Sequence, residues 1–193
     1  GLWRIAFLTL CYLPVGTFGQ AAPIPLAALV ERAERALPAV TLVLVDGREN
    51  EMFTRRKTYE PGMDIHDIRL THLSGNTFLW AVNFGDVPMV EDSVFALYLD
   101  TDRNEETGFR TETPVPRRGT DLEVRFSQGK AVVLNWTAAG TEGESLGIPW
   151  FKRGKSLCFA IQLPLKPVKN TVSFDMAAEC HSRTTPERPV PAM

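Results

Sequence analysis

Residues 77–100 read TFLWAVNF GDVPMVED SVFALYLD, two apolar runs of eight residues divided by a segment holding Gly85, Asp86 and Pro88. In the first run Phe78, Trp80, Val82 and Phe84 alternate with their neighbours, the period of a strand that buries one face. Trp80 therefore belongs to a core. Outward from this pair the same pattern recurs in VTLVLV, IRLTHLS, TDLEVRF, AVVLNW, SLCFAIQL and TVSFDM, short runs separated by Gly, Asn, Asp and Pro. Leu122, Val124 and Phe126 oppose Asp121, Glu123 and Arg125, and Leu157, Phe159, Ile161 and Leu163 oppose Cys158 and Gln162. Ser74-Gly75-Asn76, Ser127-Gln128-Gly129-Lys130 and Arg153-Gly154-Lys155 fit hairpin turns that place Gly where φ is positive. Evenly spaced short strands with turn signals predict an all-β fold, an antiparallel, jelly-roll-like β-sandwich.

Before the strands, PIPLAALVERAERALPA sets Leu26, Leu29, Val30, Ala33 and Leu37 at helical spacing. Pro25 near its first turn and Pro38 at its end frame a short amphipathic helix. The expected organisation is a leader over 1–21, a helix and linker over 22–39, a sandwich over 40–177 and a flexible Pro-rich tail over 178–193. At 193 residues, one such domain buries enough surface to fold without a metal or a disulfide. The 21 basic and 23 acidic residues nearly cancel and form no basic run, which removes nucleic acid and anionic membrane surfaces from the expected partners.

The leader reading rests on GLWRIAFLTLCYLPVGTFGQA: one Arg, an apolar stretch, then Pro14 and small residues, with Gly19 and Ala21 placed for a cut before Ala22. The stretch is short for a membrane span. The mature chain is then expected to be secreted or periplasmic, with no membrane attachment after cleavage. It would keep Cys158 and Cys180, for which a bridge and two free thiols are both open readings.

The chemistry concentrates in VEDSVFALYLDTDRNEETGF, residues 90–109. A strand runs into Asp100-x-Asp102-x-Asn104, three oxygen side chains at alternate positions, and Asp121 opens a later strand that could lie alongside. Calcium takes six to eight hard oxygen ligands, and such a loop can wrap one ion. The pattern departs from an EF-hand, because Glu105 and Thr111 occupy the positions that need Gly and Glu. The competing reading is a set of turn-capping side chains.

The order VDGRENEMF, PGMDIHDIRLTHLSGNTFLWAVNF, EDSVFALYLDTDRNEETGF and GTDLEVRF resembles the secreted β-sandwich group that holds family-nine carbohydrate-binding modules and DOMON-like domains. The matching positions are Asp46 and Gly47, Asp67, Asp92 with Ser93 and Val94, Asp100 and Asp102, and Asp121, spread over roughly residues 44–126. The resemblance implies a non-catalytic module with a structural Ca2+, attached to or working beside a larger extracellular polysaccharide-processing enzyme or assembly. It also implies a polysaccharide or glycan ligand stacked on exposed aromatics. For that role Trp150, with Phe151 beside it, is the first candidate and Trp136 the second; core or edge packing is the competing reading for each.

Other patterns carry less. Gly143-Glu-Ser145-Leu-Gly147 matches a nucleophile elbow, with Asp175 and His181 following, but a strand pattern follows Ser145 where a helix is required. His66, His72 and His181 share no metal-ligand spacing. The sequence thus predicts an exported, non-catalytic, calcium-stabilised carbohydrate-binding sandwich. The alternatives are a structural or adhesive protein-contact sandwich and, remotely, a small hydrolase using Ser145.

Overall fold

The computed structural model describes residues 3–7, 13–14, 25–36, 42–45, 61–74, 76–111, 117–137, 140–163, 171–172 and 174–182. The expected Asp46-Gly47 motif, the cleavage site and the tail beyond residue 182 lie outside them. In chain order the strands begin with β1 (Trp3–Phe7), β2 (Leu13–Pro14), β3 (Leu42–Val45), β4 (Ile65–Ser74), β5 (Thr77–Phe84), β6 (Ser93–Asp100), β7 (Phe109–Thr111) and β8 (Arg117–Thr120). They continue with β9 (Leu122–Ser127), β10 (Lys130–Thr137), β11 (Gly140–Gly147), β12 (Trp150–Arg153), β13 (Ser156–Gln162), β14 (Thr171–Val172) and β15 (Asp175–Ser182). Helix α1 spans Leu26–Ala36, within the expected limits.

Two antiparallel sheets form the sandwich, one ordered β1-β15-β6-β9-β10-β11 and the other β12-β13-β5-β4-β3. Ribbons β14-β2 and β7-β8 complete the pairing among the described residues. The alternation read from the sequence is the alternation observed. Phe78, Trp80 and Val82 of β5 and Leu157, Phe159 and Ile161 of β13 face Phe95, Leu97 and Leu99 of β6 and Val124 and Phe126 of β9 in one continuous core. The ring of Trp80 is fully buried and stacks on Phe159, which meets Phe126 at 5.0 Å. Each large apolar side chain so enclosed contributes about 1.5–3 kcal/mol.

The opposite face of the five-stranded sheet is closed by α1, whose Leu29 and Ala33 pack on Leu79 and Ala160. Two of the expected hairpin turns hold, with Gln128 and Gly129 at φ 54° and 69° and Gly154 at 57°, while Gly75 of the third lies outside the described residues.

One expectation needs correction. The sandwich does not stop at residue 177: β15 runs to Ser182 in the interior of the six-stranded sheet, with Ala178 and Cys180 buried. The run Ala177-Ala178-Glu179-Cys180 lacks the bulky β-branched residues that advertise a strand, and its place between two neighbours supplies what propensity does not. The cysteines, left open by the sequence, are both buried and not bridged to each other, one in β13 and the other in β15 of the opposite sheet. No helix among the described residues is long and apolar enough to cross a membrane. Of the expected leader, residues 3–7 form β1, paired with Met176–Cys180 at the edge of the larger sheet.

Candidate metal centre

The antiparallel register of β6 and β9 sets Leu99 opposite Leu122, and the Asp121 amide donates to the Leu99 carbonyl at 2.9 Å. That bond delivers Asp121 to the point where β6 ends in Asp100. The loop after Asp100 then folds back through its own side chains. Asp121 Oδ2 accepts from the Thr101 amide at 2.8 Å, from Thr101 Oγ1 at 2.9 Å and from the Asp102 amide at 3.3 Å. Asp102 Oδ1 accepts from the Asn104 amide at 2.9 Å, and Thr107 Oγ1 donates to both Asp102 oxygens at 3.0 Å. As a result the carboxylates of Asp100, Asp102 and Asp121 converge, with one oxygen of each within 4.8 Å of the others.

Asn104 brings two oxygens to this loop. Its side-chain oxygen accepts from the Glu106 amide at 3.1 Å, so the amide group shapes the turn. Its main-chain carbonyl is the oxygen near the cluster: a Cβ built on Gly119 would lie 2.8 Å from Asn104 O and 2.6 Å from Asp100 Oδ2. Gly119, at φ +74°, lets the strand before Asp121 pass close over both oxygens.

Among the described residues, negative charge gathers at this point. Burial pushes the Asp100 carboxyl up from 3.8 to about 6, opposed by the Arg103 and Asn104 amides and reinforced by the neighbouring Asp121 and Asp102. Arg103, held at φ 56°, turns its Nε to 3.5 Å from Oδ2 of Asp175, the residue directly opposite Asp100 in the β15 register. The donor set around the convergence is carboxylate and carbonyl oxygen throughout, the chemistry of Ca2+ or Mg2+ rather than of zinc or copper. Bound there, Ca2+ would be held by Asp100, Asp102 and Asp121 and would neutralise their repulsion.

The aromatic candidates separate. Trp150 and Phe151 are successive residues of β12 and point to opposite faces. The half-buried Trp150 packs against the core, edge-on to Phe126 at 5.9 Å, while Phe151 packs with the cluster under α1. They do not form one stacking platform, which corrects their expected grouping. Trp136 lies beside the acidic loop: its amide donates to the Asp121 carbonyl at 2.8 Å and its ring meets Phe109 at 4.4 Å. Trp136 Nε1 donates to Glu123 Oε2 at 2.9 Å, and Arg125 Nε donates to Glu123 Oε1 at 2.7 Å, so a carboxylate only 1% exposed fixes the indole. The sequence places Glu123 on the polar face of its strand without a link to Trp136, and Gly119 carries no signal of its own. Counting outward from Ser127 opposite Lys130 in the β9–β10 hairpin sets Trp136 across from Asp121, and that register was the available signal.

Ser145 lies within β11, not on a strand-to-helix turn. Asp175 and His181 lie in β15, four strand positions away in the same sheet, a separation of roughly 19 Å at the usual strand spacing. These three do not form a triad. His66 pairs with Asp64 at 3.1 Å and His72 meets Phe78 at 5.3 Å, each within its own strand neighbourhood. The site and fold together define an all-β sandwich with an acidic loop at one end. No protein-family model, curated protein or solved structure matches the chain.

Proposed function

We propose that this chain is an exported, non-catalytic β-sandwich module whose Asp100–Asp102–Asp121 cluster holds a structural Ca2+. The observation that carries the reading is the convergence of three carboxylates from a strand end, the loop after it and the junction of β8 and β9 within 4.8 Å. Uncompensated, they repel; with a hard divalent cation between them, the same arrangement ties β6, its loop and β9 together. Supply of an ion that binds only the fold, at about 100 times its dissociation constant, stabilises by roughly 2.7 kcal/mol. Thermal melting in EDTA and then in excess Ca2+, for wild type and Asp100→Ala, tests this: a rise for wild type alone supports the ion, and identical curves in all four samples sink it.

Within this reading the ligand is a glycan of a polysaccharide-processing system, an expectation supported by the order of motifs that resembles family-nine carbohydrate-binding modules. Its contact is Trp136, the aromatic that the hairpin places beside the acidic loop. Binding to a panel of soluble polysaccharides, lost in Trp136→Ala and kept in Trp150→Ala, is the expected result. The second reading is a structural or adhesive protein contact. It is favoured by one observation: among the described residues the exposed large apolar side chains are Leu26, Val87, Met89 and Leu146, with no aromatic among them.

A further inference from the structure

The inner face of the six-stranded sheet loses its cover toward β11. The antiparallel register lines up Leu97, Val124, Val133 and Leu146 across β6, β9, β10 and β11. Leu97 and Val124 are fully buried, Val133 is half-buried and Leu146 is 68% exposed. The gradient follows from the facing sheet, which ends at β12. Trp150 of β12 meets Phe126 of β9 edge-on at 5.9 Å, and the Ile148 amide, just before β12, donates to the Ala131 carbonyl of β10 at 3.1 Å. β12 therefore lies across from β9 and β10, which leaves β11 without a facing strand among the described residues. The overhang and the open side of β12 form a shelf.

Among the described residues β12 pairs with β13 alone. The two-residue turn Gly154-Lys155 makes Arg153 and Ser156 a hydrogen-bonded pair, so the amide and carbonyl groups of Lys152 and Trp150 point away from β13 and into the shelf. Lys152 shares the inward side of β12 with Trp150, and Arg153 lies on the other side. Both cations are exposed, and among the described residues no acidic side chain pairs with either. Unpaired edge groups, an apolar ceiling and two unpaired cations together suit an incoming strand. Lysine on an edge deters a like chain, because a second β12 would set cation against cation. An acidic strand meets no such barrier.

We propose that this shelf takes up an extended acidic segment of another protein, which adds a strand to the five-stranded sheet beside β12. The side chains of such a segment alternate. An apolar one, under Leu146 and beside Trp150, covers the end of the row that lies open, and an acidic one stands against Lys152 or Arg153. The inference rests on neither the calcium nor the glycan reading, and it gives the protein-contact reading a defined surface.

The test is fluorescence anisotropy of short labelled peptides with the full chain, one of alternating Glu and Val and one of alternating Lys and Val. The acidic peptide is expected to bind, and the basic one to bind at least about tenfold more weakly. Leu146→Asp changes an exposed residue and should weaken the acidic peptide roughly tenfold. Lys152→Pro removes an outward amide without cutting the β12–β13 ladder and should do the same, while Lys152→Ala, which removes only the charge, should cost about threefold. Melting curves unchanged from wild type show that the variants fold.

An acidic peptide that does not bind, or that binds wild type and all three variants equally, overturns the proposal. Loss in Leu146→Asp of binding to a soluble polysaccharide, or of a dimer seen by light scattering, gives the shelf to a sugar or a second copy and also overturns it. Peptide binding kept in Leu146→Asp but lost in Val87→Asp preserves a protein contact, moves it to the turn between β5 and β6, and overturns this surface.

Discussion

The two outward faces of this sandwich are finished in opposite ways. On the five-stranded sheet, α1 lays Leu29 and Ala33 over Leu79 and Ala160, a closure that is apolar apart from the buried Thr71 beside Leu79. On the six-stranded sheet the outward residues include Glu123, Glu179 and Tyr98, all at most 7% exposed, with Tyr98 Oη donating to Glu179 Oε1 at 2.7 Å. Asp100 and Asp121 stand at the end of this same face. The first face gains free energy by removing apolar area from water. Fixing polar groups in one arrangement is what the second does, and such groups are costly once a partner is lost. Stability and chemistry are thereby divided between the sheets.

That division can be broken at several points. The largest effect is expected from Leu29→Ala, which empties a fully buried site under α1. It should cost about 3 kcal/mol in urea unfolding while leaving the calcium response intact. A calcium response lost along with it would mean that the faces are coupled.

Next in size is the ion itself, through pH. Asp100, raised to about 6 from 3.8, makes the metal-free fold lose stability as pH climbs from about 4 to 6, because the fold favours the protonated carboxyl. Calcium requires the carboxylate, so its effect runs the other way: affinity should fall roughly tenfold per pH unit below 6. Calorimetric titrations at pH 7.5 and 5 check this, and equal affinities would remove Asp100 from the site.

Glu123→Leu comes third. It strips the acceptor from Trp136 Nε1 and Arg125 Nε, and about 2 kcal/mol should be lost in urea unfolding, with a change in tryptophan emission. Gly119→Ala should cost about 1–2 kcal/mol from its positive φ and from the crowding of Asp100 Oδ2, and should also blunt the calcium shift in melting temperature. Smallest is Arg35→Ala, which removes the exposed Glu31–Arg35 pair on α1 and should change stability by less than about 0.5 kcal/mol.

The sequence disclosed the apolar side of this comparison more readily than the polar side. Phe78, Trp80 and Val82, or Leu157, Phe159 and Ile161, announce their strands because bulky residues at period two leave no other reading. The spacing of Asp100, Asp102 and Asp121 was likewise visible. What stayed hidden depends on neighbours: β11, with GTEGESLG, and β15, with its alanines, become strands because paired strands lie beside them. Asn104 shows the same limit within the site, since nothing local decides whether its amide faces an ion or its own turn. Register and close approach are properties of two segments at once, and Gly119 over Asp100 is their plainest case.

The two buried cysteines of the sandwich carry one more consequence. Cys180 is buried in the shared core, while Cys158, on the other sheet, has its thiol pushed up to about 11 by burial. At Cys158 the folded molecule therefore offers almost no thiolate to an alkylating reagent at neutral pH. Labelling at each sulfur becomes a clock for its own region: Cys180 is modified when the sheets part, Cys158 when β13 is uncovered. Two rates from a single chain then show whether the sandwich opens all at once or one sheet at a time.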